Sequence, residues 1–459
     1  MGSRPTRETG VPRDRFGFSV RPETDQSFEN ALDRARDGKR LAVDDAIELL
    51  TTGSETRGID PERMDAVIEV ADRRRQETVG EEVTFVANLN NNVTTACDTG
   101  CLFCNYRDSA ASFEANRDGD HRGFTRTPAD SRRIVRKAVE RGISEVTSVS
   151  GLHPALALDT EHRALLAEAP SHVARPPSEY RTDPGTYAAQ LRAMSVDGVH
   201  VHSITPEEAD HARRWIDWDF ETVYGRLREA GLDSVPGTAA EILVDEVRDV
   251  ICPGKIDSAT WVEAMEAAAA VGLPTTATML YGHVENEAHR ALHLDRIRAL
   301  QDRTGAITEF VPLAFAHRNT PLAERGLVDG GATEAAHKLL IAVSRLFLDN
   351  VEHVQASWVK YGDDLARDLL EAGADDFMGT ILAESITKRA GGTNGEFRSV
   401  AEYVALIESI DRIPVERSTD YERRHRIDPG EDVHGPVLGP KADGTPLLQP
   451  GETFELPNS

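Results

Sequence analysis

"NNNVTTACDTGCLFCNYRD", residues 90–108, places three of the four cysteines of a 459-residue chain within eight positions, directly after the β-rich run VTFVANL (83–89). Cys97, Cys101 and Cys104 have the spacing C-x3-C-x2-C. A structural zinc site takes four ligands, commonly as two C-x2-C pairs, and here one such pair stands without a second pair or a local histidine. A thioredoxin-type redox pair would use Cys101 and Cys104 and leave Cys97 without a role. Three thiolates on a loop after a first barrel strand suit a cuboidal 4Fe-4S cluster. Such clusters usually take four cysteines, so three leave one iron open. An open position is what a catalytic metal needs.

Downstream of this loop, short strand-like runs alternate with amphipathic helices: EVTSVSG (145–151), GVHVHSI (198–204), SVPG (234–237), PTTATMLYG (274–282), ITEFVPLAF (307–315), HVQASW (353–358) and DDFMGT (375–380). With VTFVANL they make eight βα units over roughly 300 residues, which predicts an α/β fold of the (β/α)8 TIM type with function at the C-terminal strand ends. The chemistry-bearing residues fall at those ends: the cysteines, Ser150, Gly151, His153, His202, Glu241, Tyr281, His283, Glu285 and Glu309. Ahead of the barrel (80–385), residues 1–26 read as a loose arm and 27–79 as a helical preface with apolar positions three and four apart. Residues 157–184 interrupt one unit and read as a surface insert. A C-terminal extension follows, with 386–427 read as helical and 428–459, rich in Pro, Gly and acid, as a poorly ordered tail or a strap over the barrel.

The formal charge is −26, and only seven basic residues are lysines. That balance repels nucleic acid and anionic membranes. Dispersed acidity with arginine in place of lysine points to a salty cytoplasm, where screening acts over about 3 Å at 1 M salt. No apolar run approaches the roughly 20 residues of a membrane span, and the charged N-terminus lacks a secretory signal, so a cytoplasmic protein is expected. Four cysteines in such a chain do not form a disulfide framework.

The C-x3-C-x2-C loop resembles that of the radical SAM enzymes, in which the amino and carboxylate groups of S-adenosylmethionine fill the open iron site. Phe103 matches the aromatic that lies by the adenine in that superfamily. NLNNNVTTACDTGCLFC, SGLHPALALD, HVHSITPEEAD, LREAGLDSVPGTAAEILVDEVRDVICPGKI, TTATMLYGHVENEAHR, TEFVPLAFAHRNTPL and GADDFMGTILAESI resemble successive blocks of the CofH family, over about residues 80–410. The resemblance implies a reaction of deazaflavin biosynthesis, in which the side chain of L-tyrosine is detached as a 4-hydroxybenzyl radical and added to 5-amino-6-(D-ribitylamino)uracil. The implied by-products are 2-iminoacetate, 5′-deoxyadenosine and methionine. It also implies an electron donor of the ferredoxin or flavodoxin type and a CofG-like partner that closes the third ring. The nearest competitors are the related aminofutalosine enzymes of the menaquinone branch. An iron–sulfur electron carrier or sensor without SAM chemistry is the alternative from another class.

Physical requirements suggest partners for the cosubstrate and substrates. Glu241 is suited to the ammonium or a ribose hydroxyl of S-adenosylmethionine, and Arg248 to its carboxylate. Ser150-Gly151 allows close backbone approach, although the family usually has Gly-Gly there. His153, His202, Tyr281, His283 and Glu285 offer hydrogen bonds to the phenol, the ribityl hydroxyls and the uracil edge. Glu309 is a candidate for the substrate ammonium. His200, in the same strand as His202, is expected to face away, and Cys252 to be a small buried residue. No residue is assigned to proton return. Asn105-Tyr106 and the 157–184 insert depart from the family pattern.

Overall fold

Side-chain caps mark where the helices begin. Asp60, Thr127, Thr205, Asp257 and Thr333 each accept a hydrogen bond from the backbone N–H three residues on, satisfying donors that the first helical turn leaves open. The computed structural model describes residues 25–54, 58–107, 123–168, 180, 182–214, 216–383, 397–431, 433–449, 452–454 and 456. The expected arm lies almost wholly outside the described residues, and so does 169–179 of the expected insert.

Strands β1 (Glu82–Val86) and β2 (Asn88–Asn90) form one run interrupted at Ala87. β3 (Glu145–Ser148), β4 (His200–Ser203), β5 (Thr275–Tyr281), β6 (Ile307–Ala314), β7 (His353–Val354) and β8 (Asp376–Gly379) follow. β2, β3 and β4 pair in parallel, as do β5, β6 and β7, and β1 pairs with β8. Parallel bridges His202–Ser234, Val235–Thr275 and Gln355–Asp376 join these sheets into a closed ring. The ring has eight strand positions, the fourth reduced to Ser234-Val235, and it is the (β/α)8 barrel that the βα alternation predicts. Helices Asp25–Arg36, Val43–Thr51 and Pro61–Val79 precede it, the second and third packing on the barrel helices Glu287–Thr304 and Glu334–Phe347.

The C-terminal region differs from its sequence reading. Helix Val400–Glu408 is followed by two strands, β9 (Ile413–Arg417) and β10 (Arg424–Arg426). β9 pairs in parallel with β1, Glu82 opposite Ile413, and β10 runs antiparallel to β9. The motif IPVER hides its strand character because its two charged residues are both buried, on opposite faces of the strand: Arg417 toward the barrel and Glu416 toward the segment that follows β10. Arg417 donates to Asp376 Oδ2 at 2.6 Å and Glu309 Oε2 at 3.0 Å, and Tyr421 Oη donates to Glu309 at 2.6 Å. Thr419 donates to Glu145 at 2.7 Å, and the Tyr421 ring stacks on His353 at 3.8 Å. The N-terminal half of the barrel is thus closed by paired charges that the C-terminal segment supplies.

Past β10 the chain runs as a strap under that same end. Glu416 accepts hydrogen bonds from the backbone of Val437 and Leu438, Glu452 pairs with Arg141 at 2.6 Å, and Lys441 with Asp197 at 3.3 Å. Among the described residues no helix is long and apolar enough to cross a membrane.

Removing the guanidinium while keeping the stem, as in Arg417→Met, leaves two buried carboxylates without their cation. The variant should lose about 3–5 kcal/mol of stability, read as a lowered urea midpoint at fixed salt. A midpoint equal to the parent's would show that β9 is held by other contacts.

Candidate active site

The cysteine loop leaves β2 and is fastened on one side before its first thiol and on the other between its thiols. On one side Thr95 N donates to Phe124 O at 3.0 Å, Arg126 N to Val93 O at 2.8 Å, and Val93 N to Ser150 Oγ at 2.6 Å. The Ser150 hydroxyl, the departure from the family's Gly-Gly, therefore anchors the loop. Gly151 follows with its N–H on Thr94 O, and a Cβ at Gly151 would lie 2.4 Å from Ala96 O. On the other side a Cβ at Gly254 would lie 2.3 Å from Thr99 O, and Leu102 N donates to Ile251 O at 2.8 Å. Only glycine permits either approach.

So held, Cys97, Cys101 and Cys104 line one cavity of about 230 Å³ at the C-terminal ends of the strands, with Phe103, Ser150, Gly151, Glu207, Glu241 and Lys255 in its wall. Tyr106, from the Asn105-Tyr106 departure, also lines it and meets Phe124 edge to face at 6.4 Å. Burial pushes the Cys104 thiol up, while the backbone N–H groups of Tyr106 and Arg107 pull it down by hydrogen-bonding the sulfur. Burial likewise raises Cys101, opposed by the charge of Lys255. Among the described residues no three His, Cys, Asp or Glu side chains are arranged around a single metal ion. Thiolates of an iron–sulfur cluster bind separate irons, so three donors on one loop with N–H groups directed at sulfur fit a cluster.

Glu241 stands on strained backbone, with φ of +44° there and +83° at Ala239. Its carboxylate accepts from Lys255 Nζ at 2.6 Å. That ammonium lies 5.6 Å from the centre of the Phe103 ring. Burial opposes the charge on Lys255, but Glu241, Cys101 and Glu207 outweigh it and hold the pKa above its ordinary value. Arg248, expected to meet a cosubstrate carboxylate, is instead buried beneath the wall, donating to the carbonyls of Ala239, Ala240 and Ile256. It braces the strained turn that carries Glu241 and the loop that carries Lys255.

The other sequence candidates are not brought to this cavity. His153 is buried; its Nδ1 accepts from Ala155 N and its ring packs on Tyr180 at 4.7 Å, with burial lowering its pKa to about 4. His202 lies inside the barrel, its Nδ1 2.7 Å from Ser234 Oγ, and Glu145 opposes the lowering that burial imposes on its pKa. His200 does not face away: its Nε2 reaches the same Ser234 Oγ at 2.7 Å. Residues two apart in a strand share a face. Tyr281 points out of the barrel, onto His337 Nδ1 at 2.6 Å and Tyr361 Oη at 3.0 Å, while its neighbour Leu280 lines the cavity. His283 and Glu285 pair at 2.9 Å, and Glu285 takes Arg290 at 2.7 Å, in a separate polar cleft shared with Ser54 and Gly331. Glu309 is committed to Gln355, Arg417 and Tyr421 in the barrel floor. Cys252 is buried, as expected, and lies outside the cavity lining. Sequence reasoning missed Lys255 and Glu207. The signal for Lys255 was its rarity, one of seven lysines, in the same block as Glu241.

A parallel barrel whose rim gathers three such thiols is the architecture of a radical S-adenosylmethionine enzyme, and residues 91–297 match the Radical SAM superfamily. Residues 304–429 match the CofH/MqnC C-terminal region. The methylornithine synthase PylB, at 17% identity, shares the fold with a TM-score of 0.59 over 85% of this chain and 99% of its own. The 5-amino-6-(D-ribitylamino)uracil–L-tyrosine 4-hydroxyphenyl transferase of Haloarcula marismortui is 67% identical over 96% of this chain and 98% of its own length. The protein of the same name from Halobacterium salinarum is 66% identical over 94% and 95%. The chain belongs to this 4-hydroxyphenyl transferase family, whose radical SAM membership brings a 4Fe-4S cluster and S-adenosylmethionine as cofactors.

Gly151→Ala should push Ala96 out of place. An overpacking cost of about 1–3 kcal/mol falls on the cysteine loop, so iron retained after anaerobic reconstitution should drop while far-ultraviolet circular dichroism stays unchanged. Full iron retention would show that the loop has room to spare.

Proposed function

We propose that this chain transfers the 4-hydroxybenzyl group of L-tyrosine to 5-amino-6-(D-ribitylamino)uracil, a step of deazaflavin biosynthesis. The observation that carries the reading is the gathering of Cys97, Cys101 and Cys104 with Glu241 in one cavity at the barrel rim, in a chain 67% identical to a transferase of that name. Cys97, Cys101 and Cys104 would hold a 4Fe-4S cluster. When bound and reduced, the cluster supplies one electron that splits S-adenosylmethionine into methionine and a 5′-deoxyadenosyl radical.

The residues of the chain do the binding and sheltering. Phe103 presents a ring to the adenine, and the backbone of Ser150-Gly151 lines the cavity beside the methionine end. Glu241 takes the ammonium or a ribose hydroxyl by a charge-assisted hydrogen bond. Leu280, Leu313 and Phe315 form an apolar wall of the same cavity, which keeps water from the reacting centre. L-Tyrosine loses a hydrogen atom from its amino group to the 5′-deoxyadenosyl radical, its side chain departs as a 4-hydroxybenzyl radical that joins the uracil, and the adduct gives up one proton and one electron, the electron returning to the oxidised cluster. The remainder leaves as 2-iminoacetate, alongside 5′-deoxyadenosine and methionine. Electrons come from a ferredoxin- or flavodoxin-type donor, a CofG-like synthase closes the third ring, and the work is done in a salty cytoplasm.

The test is anaerobic reconstitution at high salt with dithionite, S-adenosylmethionine and both substrates, followed by mass spectrometry. The hydroxybenzyl adduct should form, and Cys101→Ala should abolish both cluster and adduct. If 5′-deoxyadenosine forms only with a different acceptor, the substrate assignment fails. An intact cluster that yields no 5′-deoxyadenosine at all would sink the radical chemistry as well.

A further inference from the structure

We infer that Lys255 is a cofactor-binding residue that takes the α-carboxylate of S-adenosylmethionine, releasing Glu241 to the ammonium of the same cosubstrate; the inference rests on the function proposed above. A lysine whose side chain is 12% exposed, against an 8% exposed glutamate, is an expensive placement that proteins keep only when the charge is used or well paired. The ammonium has three donors, and the one acceptor recorded for it among the described residues is Glu241.

Its position is set by the cysteine loop itself. Gly254, the residue before it, is the one that lies against Thr99 O, so the contact that holds the cysteine loop also sets Lys255 in the wall of the same cavity. Phe103 stands 5.6 Å from its ammonium, which puts the expected adenine face and the lysine in one wall. Glu207, also in that wall, accepts from the backbone of Ile256 at 3.2 Å and so faces the lysine loop rather than opening a second cationic site.

Charge complementarity then assigns the ends. An α-amino acid carries one ammonium and one carboxylate on a single carbon, and Glu241 with Lys255 offers the opposite pair side by side in one cavity wall. A carboxylate brought beside three thiolates is repelled unless a cation stands next to it. Arg248 does not serve, because it is buried outside the cavity lining, with its two terminal nitrogens on carbonyls. Before the cosubstrate enters, the two side chains neutralise each other. On entry each exchanges its partner for the complementary group of the ligand, with no unpaired buried charge in either state.

The test pairs the protein with a ligand that lacks the group. Equilibrium dialysis on reconstituted, oxidised enzyme, where no turnover occurs, compares S-adenosylmethionine with its decarboxylated analogue in the parent, Lys255→Met and Lys255→Arg. Lys255→Met should weaken S-adenosylmethionine about ten- to hundredfold and leave the analogue nearly unchanged, so that the preference between the two ligands falls by the same factor. Lys255→Arg should keep most of the preference. Equal weakening of both ligands, or an unaltered preference in Lys255→Met, overturns the assignment, since a merely structural lysine moves both together. If Lys255→Met loses its iron, Lys255→Arg decides: loss of the preference with the charge retained and the cluster intact also overturns it. A parent enzyme that holds its cluster and binds neither ligand defeats the underlying functional reading and this inference with it.

Discussion

Two backbone carbonyls, Ala96 O and Thr99 O, press against glycines at 151 and 254, and the rest of the site depends on that contact. It pins the cysteine loop between the end of β3 and the turn before helix Ser258–Ala270. Because the fastening is made by backbone, the side chains of Cys97, between the two contacts, and of Cys101 and Cys104, just past them, are left free to face the cavity. The same contact fixes Lys255, one residue past Gly254, and through Lys255 the side chain of Glu241. A catalytic constellation needs placement to a fraction of an ångström, and here it is supplied by steric closeness rather than by a long chain of side-chain hydrogen bonds.

Buried charge is concentrated at two levels of the barrel and serves different ends. In the floor, Arg417, Asp376, Glu309 and Tyr421 satisfy one another, and Thr419 and Asn88 satisfy Glu145. Such a closed network ties the C-terminal strands to the barrel. At the mouth, Glu241 and Lys255 form a pair with capacity left for other partners. The strap beyond β10 runs beneath the floor, on the side away from the cysteines.

Much of this was legible from the sequence. The eight βα units could be read because each strand run is short, apolar and bounded by turn residues, and even SVPG, which keeps only Ser234 and Val235 in the ring, stood out. The cysteine spacing, Phe103, Gly151 and Glu241 were readable because local chemistry constrains them. What failed was side-chain direction. His202 and Glu309 lie at strand ends in sequence but are drawn inward to partners more than thirty residues away, Ser234 and Arg417. Tyr281 and Leu280 exchange roles through a single step of strand alternation. Arg248 was read as a partner for the cosubstrate carboxylate, and nothing local shows that the strained turn at Ala239 draws its guanidinium under the wall. β9 escaped because Glu416 and Arg417, buried on its two faces, break the apolar signature by which strands are recognised.

The central claim is that three thiolates leave one iron for the cosubstrate, and pulsed electron–nuclear double resonance on the reduced cluster tests it most directly. With S-adenosylmethionine labelled by ¹⁵N at the amino group and ¹³C at the carboxyl, both nuclei should show hyperfine coupling of directly bound or adjacent ligands. A spectrum indifferent to the labelled cosubstrate, together with loss of the cluster on Cys252→Ala, would mean four thiolates and a closed cluster, and would contradict the account.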